Sequence, residues 1–332
     1  MKALVTGATG FLGSHLVDAL VARGHEVVAL ARTPARMKPR AGVTAVKGDI
    51  LDADSLKAAM EGCEAVFHCA GVVSRDPGDG ELLWRTHVLG TRNVAQAAKG
   101  AGAKRMIHAS TSGTVAISED ATQVSREDDP TPYALIEKFP YYRSKLYAEQ
   151  EALRANGEAM AVVSVNPSLL LGPGDEFGSS TGDVKDFLDR KIPAIPSGGV
   201  AFVDARDAAE AMALAQEKGT PGRRYLINAS NCTLREFFDR LERVSGVKAP
   251  TLRLPPSRAL AKFGAQLMEA GAKFAGVKAP VDAASVEMAQ LYWYCDSARA
   301  TRELGWSPRD PISTLADTVE DLRGRNTFKS LR

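Results

Sequence analysis

Cysteine is scarce in this chain, and what there is makes no pattern. Cys63, Cys69, Cys232 and Cys295 form neither a C-x-x-C pair nor a metal-ligand spacing, which excludes a zinc ribbon or a redox dithiol as the organising centre. The four thiols are expected to be buried, reduced and structural. Excess charge is missing too: 42 Lys+Arg stand against 40 Asp+Glu, a formal +2. The positives are scattered, so no nucleic-acid partner is expected. No run of about 18 apolar residues occurs, so no membrane span is expected. The first strand begins at residue 2 and leaves no room for a signal peptide, which gives the expectation of a cytoplasmic protein. Internal repeats and low-complexity tracts are absent as well. With 332 residues, 45% of them hydrophobic and 25% charged, the chain has enough material for one large core or two modest ones.

What is present begins at the amino end. Met1 to Val5 is a short apolar run that fits a buried strand, and Phe11, Leu12, His15, Leu16, Ala19 and Leu20 recur at helical spacing. Between them lies Thr6-Gly7-Ala8-Thr9-Gly10-Phe11-Leu12-Gly13. Gly7 permits a tight turn, Gly10 removes a Cβ where backbone must approach a pyrophosphate, and Gly13 lets the helix pack closely. A helix N-terminus then offers N–H groups and partial positive charge to phosphates. Gly7, Thr9, Gly10, Phe11, Leu12 and Gly13 are therefore assigned to a dinucleotide. The helix is expected to stop at Arg23-Gly24, and His25 to Ala31 is a second strand. An acid closing that strand, about 20 residues past the glycines, would bind a ribose 2′-hydroxyl, whereas arginine accommodates a 2′-phosphate. Arg32 stands there, followed by Arg36, Lys38 and Arg40. NADP(H) is favoured, and NAD(H) stays open because loops are often basic for solvation alone.

Further strands are expected at Val43–Val46, Ala65–Cys69, Met106–Ala109, Ala159–Val165 and Tyr225–Asn228. Small residues after the fourth, Ala70 and Gly71, let the chain lie against the cofactor. A long helix is expected from about Glu81 to Ala101, with Leu82, Leu83, Val88, Val94 and Ala97 inward. The fifth strand runs into Ser110-Thr111-Ser112, at the carboxyl edge where open α/β sheets bind ligands. Downstream, Pro140-Tyr141-Tyr142-Arg143-Ser144-Lys145 opens a helix. Tyr141 and Lys145, four apart, share one face about 6 Å apart along the axis. Tyr142 should point off that face.

Chemistry gives this combination meaning. A phenol with pKa about 10 is a poor base at neutral pH, but a nearby ammonium favours the phenolate. Tyr141 is thus the candidate acid/base. Lys145 would lower its pKa and hold the nicotinamide ribose, and a hydroxyl of the triplet would polarise the substrate oxygen. Thr111 is the candidate for that hydroxyl, with Ser112 the alternative one residue away.

The segment from Thr6 to Gly13 resembles the T-G-x-x-G-x-x-G signature of the extended short-chain dehydrogenase/reductase family, also called the NAD-dependent epimerase/dehydratase family. His87-Val88-Leu89-Gly90-Thr91-Arg92-Asn93 resembles its N-V-x-G-T-x-N, with His87 in place of the first asparagine; no role is assigned to His87. The segments Asn166-Pro167-Ser168 and Gly172-Pro173-Gly174-Asp175 resemble its N/R-P-S…G-P-G-D. The tail from Asp296 to Pro308 resembles its carboxy-terminal D-x-S-K-A-x-x-E-L-G-W-x-P, with Arg299 where lysine is commoner. The resemblance implies a Rossmann-type doubly wound parallel sheet with a smaller C-terminal α/β substrate lobe. Residues 1–166 would form the nucleotide domain, completed by segments near 200–230, and 167–332 mainly the substrate lobe. It also implies that Asp49 meets the adenine amino group, that Ile50 packs on its ring, and that the backbone of Pro167 and Ser168 flanks the nicotinamide amide.

Among family members the texture is similar to dihydroflavonol-reductase-like and 3β-hydroxysteroid-dehydrogenase-like proteins. That favours an NADPH-dependent reductase of a hydrophobic carbonyl compound, flavonoid- or steroid-like. The alternative is a nucleotide-sugar epimerase or dehydratase using the same triad, although Thr111-Ser112-Gly113 supplies no acid beside the hydroxyl. A non-catalytic NADP sensor would have no use for Tyr141 and Lys145. The Gly174–Gly182 stretch is expected to be a mobile loop over the substrate. Residues 257–275 are expected to be a basic amphipathic helix covering the cleft with Leu260, Phe263, Leu267 and Met268. The helices from Glu81 and Tyr141 resemble those that pair in family homodimers, but their apolar stripes fit a core equally well.

Overall fold

The computed structural model describes residues 1–37, 39–255 and 283–330. Lys38 and the helix expected over 257–275 lie outside the described residues. Seven parallel strands form the main sheet: β1 (Lys2–Thr6), β2 (Glu26–Ala31), β3 (Val43–Lys47), β4 (Ala65–His68), β5 (Arg105–Ala109), β6 (Ala161–Pro167) and β9 (Arg224–Ile227). Their order is β3-β2-β1-β4-β5-β6-β9, the doubly wound Rossmann-type arrangement expected from the sequence. The strand order reverses between β1 and β4, and ligands bind at such a switch point. A smaller sheet has the order β10-β8-β7, from Ser230–Thr233, Gly199–Asp204 and Leu169–Leu171.

Helices cover both faces because successive strand residues point to opposite sides. Ala3 and Val5 of β1 join one apolar cluster with Leu16, Val17 and Leu20 of α1 (Phe11–Ala22). Leu4, between them, joins the other cluster with Leu56, Val94 and Ala152. Those residues come from α2 (Ala53–Ala59), α4 (Gly90–Gly100) and α6 (Pro140–Arg154). Helix α1 ends where Gly24 takes φ +76°, with Gly24 N–H bonded to Val21 O and His25 N–H to Leu20 O, the Schellman stop. In the smaller lobe, α7 (Gly182–Leu188) and α9 (Leu234–Ser245) pack Phe187, Phe237 and Phe238 on Phe202 of β8. Thr233 caps α9 in a capping box with Glu236. Trp306 of the L-G-W segment is buried and donates from Nε1 to Asp207 O at 2.8 Å, in α8 (Ala205–Lys218). Arg299 nearby pairs with Glu127 and Asp128.

Two local expectations give way. The helix foreseen over 81–101 is α3 (Gly80–Trp84), then a π-turn at Arg85–Leu89, then α4. The buried positions Leu83 and Val88 are five apart, the step of a π-turn, and Leu82 is left exposed. The stretch 174–182 is tied down rather than loose. Asp175 is buried and accepts from the N–H of Ser179, Ser180 and Thr181 and from the hydroxyls of Ser179 and Thr181. That bonding holds its carboxyl below the usual range against the opposing effect of burial. The short α5 (Tyr133–Ile136) precedes α6. No helix among the described residues is long and apolar enough to cross a membrane.

Candidate active site

The sequence-predicted residues converge on the carboxyl edge of the main sheet. After β1, Gly7 has φ +69°, and a Cβ there would lie 2.6 Å from Ala70 N at the end of β4. A Cβ on Gly13 would lie 2.1 Å from Gly7 O, and one on Gly10 3.2 Å from the same atom. The turn can close this tightly only without side chains. Gly10 is the N-cap of α1 and no side chain caps the helix, so its first N–H groups face outward with the positive end of the helix dipole. Thr9 is exposed, Phe11 is buried with its ring 5.7 Å from His15, and Leu12 packs on the core. This bare, uncapped cradle fits a dinucleotide pyrophosphate. Arg32 is exposed directly after β2; Arg36 is exposed nearby, while Arg40 bonds Ser14 O and pairs with Asp18.

After β3, Asp49 Oδ1 accepts Leu51 N–H at 2.9 Å, which shapes the turn. Ile50 is buried, and a Cβ on Gly90 would meet its Cδ1 at 2.5 Å, so its side chain rests on α4. Ala70 N–H donates to Thr6 Oγ1, which pairs with His68 Nδ1; His68 Nε2 pairs with Thr91. These bonds lock the end of β4, and Gly71 beyond it, to β1 and α4. At the end of β6, Ser168 bonds Asn228 through its hydroxyl and Ile227 through its N–H, beside Pro167.

The hydroxyl triplet sorts itself by burial. Ser110 Oγ donates to Glu149 Oε2 at 2.5 Å, and Ser112 is buried, its carbonyl accepting from the N–H groups of Val115 and Ala116. Thr111 is the partly open one, and its Oγ1 accepts from Gly113 N–H at 3.3 Å, which leaves its own hydrogen available. Both sides of Thr111 are bonded to α6. Lys145 Nζ donates to Ala109 O at 2.6 Å, and Glu149 Oε2 also accepts from Thr114 Oγ1 and Asn166 Nδ2. Pro140 occupies the first position of α6, where its missing N–H costs nothing. Tyr142 lies against Gly113, where a Cβ would clash with its ring at 2.3 Å, and stacks 4.6 Å from Trp293. It remains 5.0 Å from the Tyr141 ring, so both tyrosines belong to one aromatic wall.

Burial dominates the electrostatics of the pair. Burial raises the Tyr141 phenol far above its ordinary value, assisted by Tyr142, with no compensating effect from Lys145. Lys145 is brought down to about 8 by burial, against the raising influence of Glu149 and Cys69. These surroundings favour the neutral phenol of Tyr141 over its phenolate. Burial pushes all four free cysteines up, so they are inert thiols. Among the described residues no cluster could hold a metal ion.

Sequence reasoning missed the buried supports. His87 accepts Val72 N–H and pairs with Ser144; Glu149 gathers Ser110, Thr114 and Asn166, with Arg224 Nε 3.0 Å from its other oxygen. The only available signals were the odd histidine in the N-V-x-G-T-like segment and the glutamate four residues past Lys145.

A glycine cradle at the sheet edge, with a phenol, an amine and a hydroxyl at the same edge, fits the class: an NAD(P)-dependent oxidoreductase-type enzyme. The profile of the NAD dependent epimerase/dehydratase family matches residues 3–228, and the chain belongs to that family. A relative from Synechocystis sp., named for dihydroflavonol 4-reductase, is 32% identical over 98% of this chain and 96% of its own. "Sterol demethylase protein B" of Methylococcus capsulatus is 32% identical over 98% of this chain and 99% of its own. The crystal structure of gox2253 superposes with a TM-score of 0.83 at 29% identity, covering 98% of each chain.

Proposed function

We propose that the protein is an NADPH-dependent carbonyl reductase of hydrophobic small molecules, ketones or aldehydes of flavonoid- or sterol-like shape. The observation that carries the reading is Tyr141, half-buried one turn before Lys145 on a helix that is hydrogen-bonded to both sides of the partly open Thr111. A bound dihydronicotinamide would supply the hydride for the carbonyl carbon. Thr111 donates a hydrogen bond to the substrate oxygen, and Tyr141 delivers its proton to that oxygen as negative charge develops. Lys145, held by Ala109 O, would bind the nicotinamide ribose hydroxyls. Gly7, Gly10 and Gly13 would receive the pyrophosphate, Asp49 and Ile50 the adenine side, Ala70 and Gly71 the middle, Pro167 and Ser168 the nicotinamide end. Arg32, exposed at the close of β2, suits a 2′-phosphate.

The aromatic wall of Tyr142 and Trp293 beside Tyr141 supports an apolar, flat substrate. The names of the two sequence relatives, a dihydroflavonol and a sterol enzyme, point the same way. The test is a panel of aromatic aldehydes, flavanonols and steroid ketones with NADPH or NADH, followed by loss of reduced-nicotinamide absorbance. Turnover of an apolar carbonyl with preference for NADPH is expected. Conversion of a nucleotide sugar with no net cofactor change would overturn the reading in favour of an epimerase.

A further inference from the structure

His87 is a buried imidazole to which the reaction itself gives no task. It is 2% exposed and sits at the centre of the π-turn Arg85–Leu89. Its bonds define its own tautomer. The Val72 N–H can only donate, so His87 Nε2, 3.1 Å away, accepts and carries no hydrogen. In a neutral ring Nδ1 then bears the hydrogen and donates to Ser144 Oγ at 2.8 Å. Ser144 in turn donates to the Tyr141 carbonyl at 2.8 Å. A second ring proton would set N–H against N–H at Val72, and burial holds the ring's pKa down to about 2, so the neutral form persists. The Tyr141 ring meets the imidazole edge-on, centroids 5.7 Å apart. A Cβ on Gly71 would lie 3.2 Å from Nε2, so the bare glycine leaves the ring room.

We propose that His87 is a positioning residue of the active site: through Ser144 it fixes the backbone of Tyr141, and through Val72 it ties that helical turn to the loop after β4. The ring joins the loop and the turn with every donor facing an acceptor. The kinetic arm of the proposal rests on the reductase reading; its structural arm does not.

Three substitutions separate the two bonds. His87→Phe fills the ring's volume without either nitrogen. His87→Asn keeps a polar atom within reach of Ser144 but not of Val72, and His87→Gln does the reverse. With the best carbonyl substrate of the panel, His87→Phe is expected to lower kcat about 10- to 100-fold at little-changed KM for NADPH, the cost of moving a reacting group by roughly 1 Å. His87→Asn recovers most of that loss and His87→Gln does not, because the Tyr141 link is the one that acts on the reaction. Adding Ser144→Ala to His87→Phe costs less than the sum of the two single changes, since both act on the one link to Tyr141. A kcat within about twofold of wild type for His87→Phe, or three variants losing kcat alike in step with melting temperature, overturns the proposal. Nitrogen-15 NMR decides the bridge without any substrate: an Nδ1–H imidazole unchanged between about pH 5.5 and 8.5 is expected. A charged or Nε2–H ring overturns the proposal even in an active enzyme, whereas absent turnover with the expected tautomer sinks the reductase reading alone.

Discussion

Lowering the pH from about 7.5 to about 5.5 should cost this protein stability through three buried histidines, and His108 isolates the effect. His68, His87 and His108 are each nearly inaccessible, and burial, reinforced by the Lys145 charge, drives all three well below the ordinary histidine range. Both ring nitrogens of His108 lack a hydrogen-bond partner among the described residues, and its ring lies 5.4 Å from His68 on the neighbouring strand. The unfolded chain takes up protons near pH 6.5 while the folded one does not. The stability is therefore complete above that value and is lost as pH falls through it. Each histidine contributes about 1.4 kcal/mol of loss over the two units, so the three together contribute about 4 kcal/mol. His108→Phe replaces an unpaired imidazole by an apolar ring of similar shape and should be neutral to about 2 kcal/mol stabilising at pH 7.5. Its advantage over wild type should widen by about 1.4 kcal/mol at pH 5.5. Urea denaturation of both proteins at the two pH values measures this directly. An advantage that stays constant with pH would refute the claim that His108 is held neutral.

Three other outcomes follow from the same geometry. Glu149→Gln leaves Arg224 facing an amide and unsettles the loop carrying Thr111, and should cost about 2–3 kcal/mol in urea denaturation; a loss below about 1 kcal/mol would show that the Arg224 pair does not hold that loop. Reductase activity should fall above about pH 8, where Lys145 loses the charge with which it would hold the nicotinamide ribose; a pH–rate profile flat to about pH 10 contradicts this. Arg32→Ala should weaken NADPH binding about 10-fold or more and leave NADH binding unchanged, as titration calorimetry would show; equal losses for both cofactors would remove the basis for a 2′-phosphate site.

The parts legible in the sequence were local. The strand, glycine turn and helix at the amino end occupy adjacent residues, and Gly24 punctuates that helix as its type requires. Tyr141 and Lys145 are one turn apart, so periodicity alone put them on a common face. The supports were not legible because their partners come from distant segments: His87 and Ser144 are 57 residues apart, and Arg224 reaches Glu149 from the last strand of the main sheet. A 3.6-residue pattern cannot register the extra residue of a π-turn, so Leu82 was read as inward. Glycine and serine in 174–182 suggested looseness, yet one buried aspartate supplies the acceptors that hold that segment. The raised pKa of Tyr141 comes from its surroundings, which spacing does not report.

The most direct measurement is single-turnover reduction of the best apolar carbonyl by NADPH in wild type and Tyr141→Phe, with cofactor affinity measured in parallel. Loss of one hydroxyl should leave NADPH binding within about threefold and slow the chemical step at least about 100-fold. Chemistry at near wild-type rate in Tyr141→Phe would contradict the assignment of the proton donor, and with it the functional reading of the site.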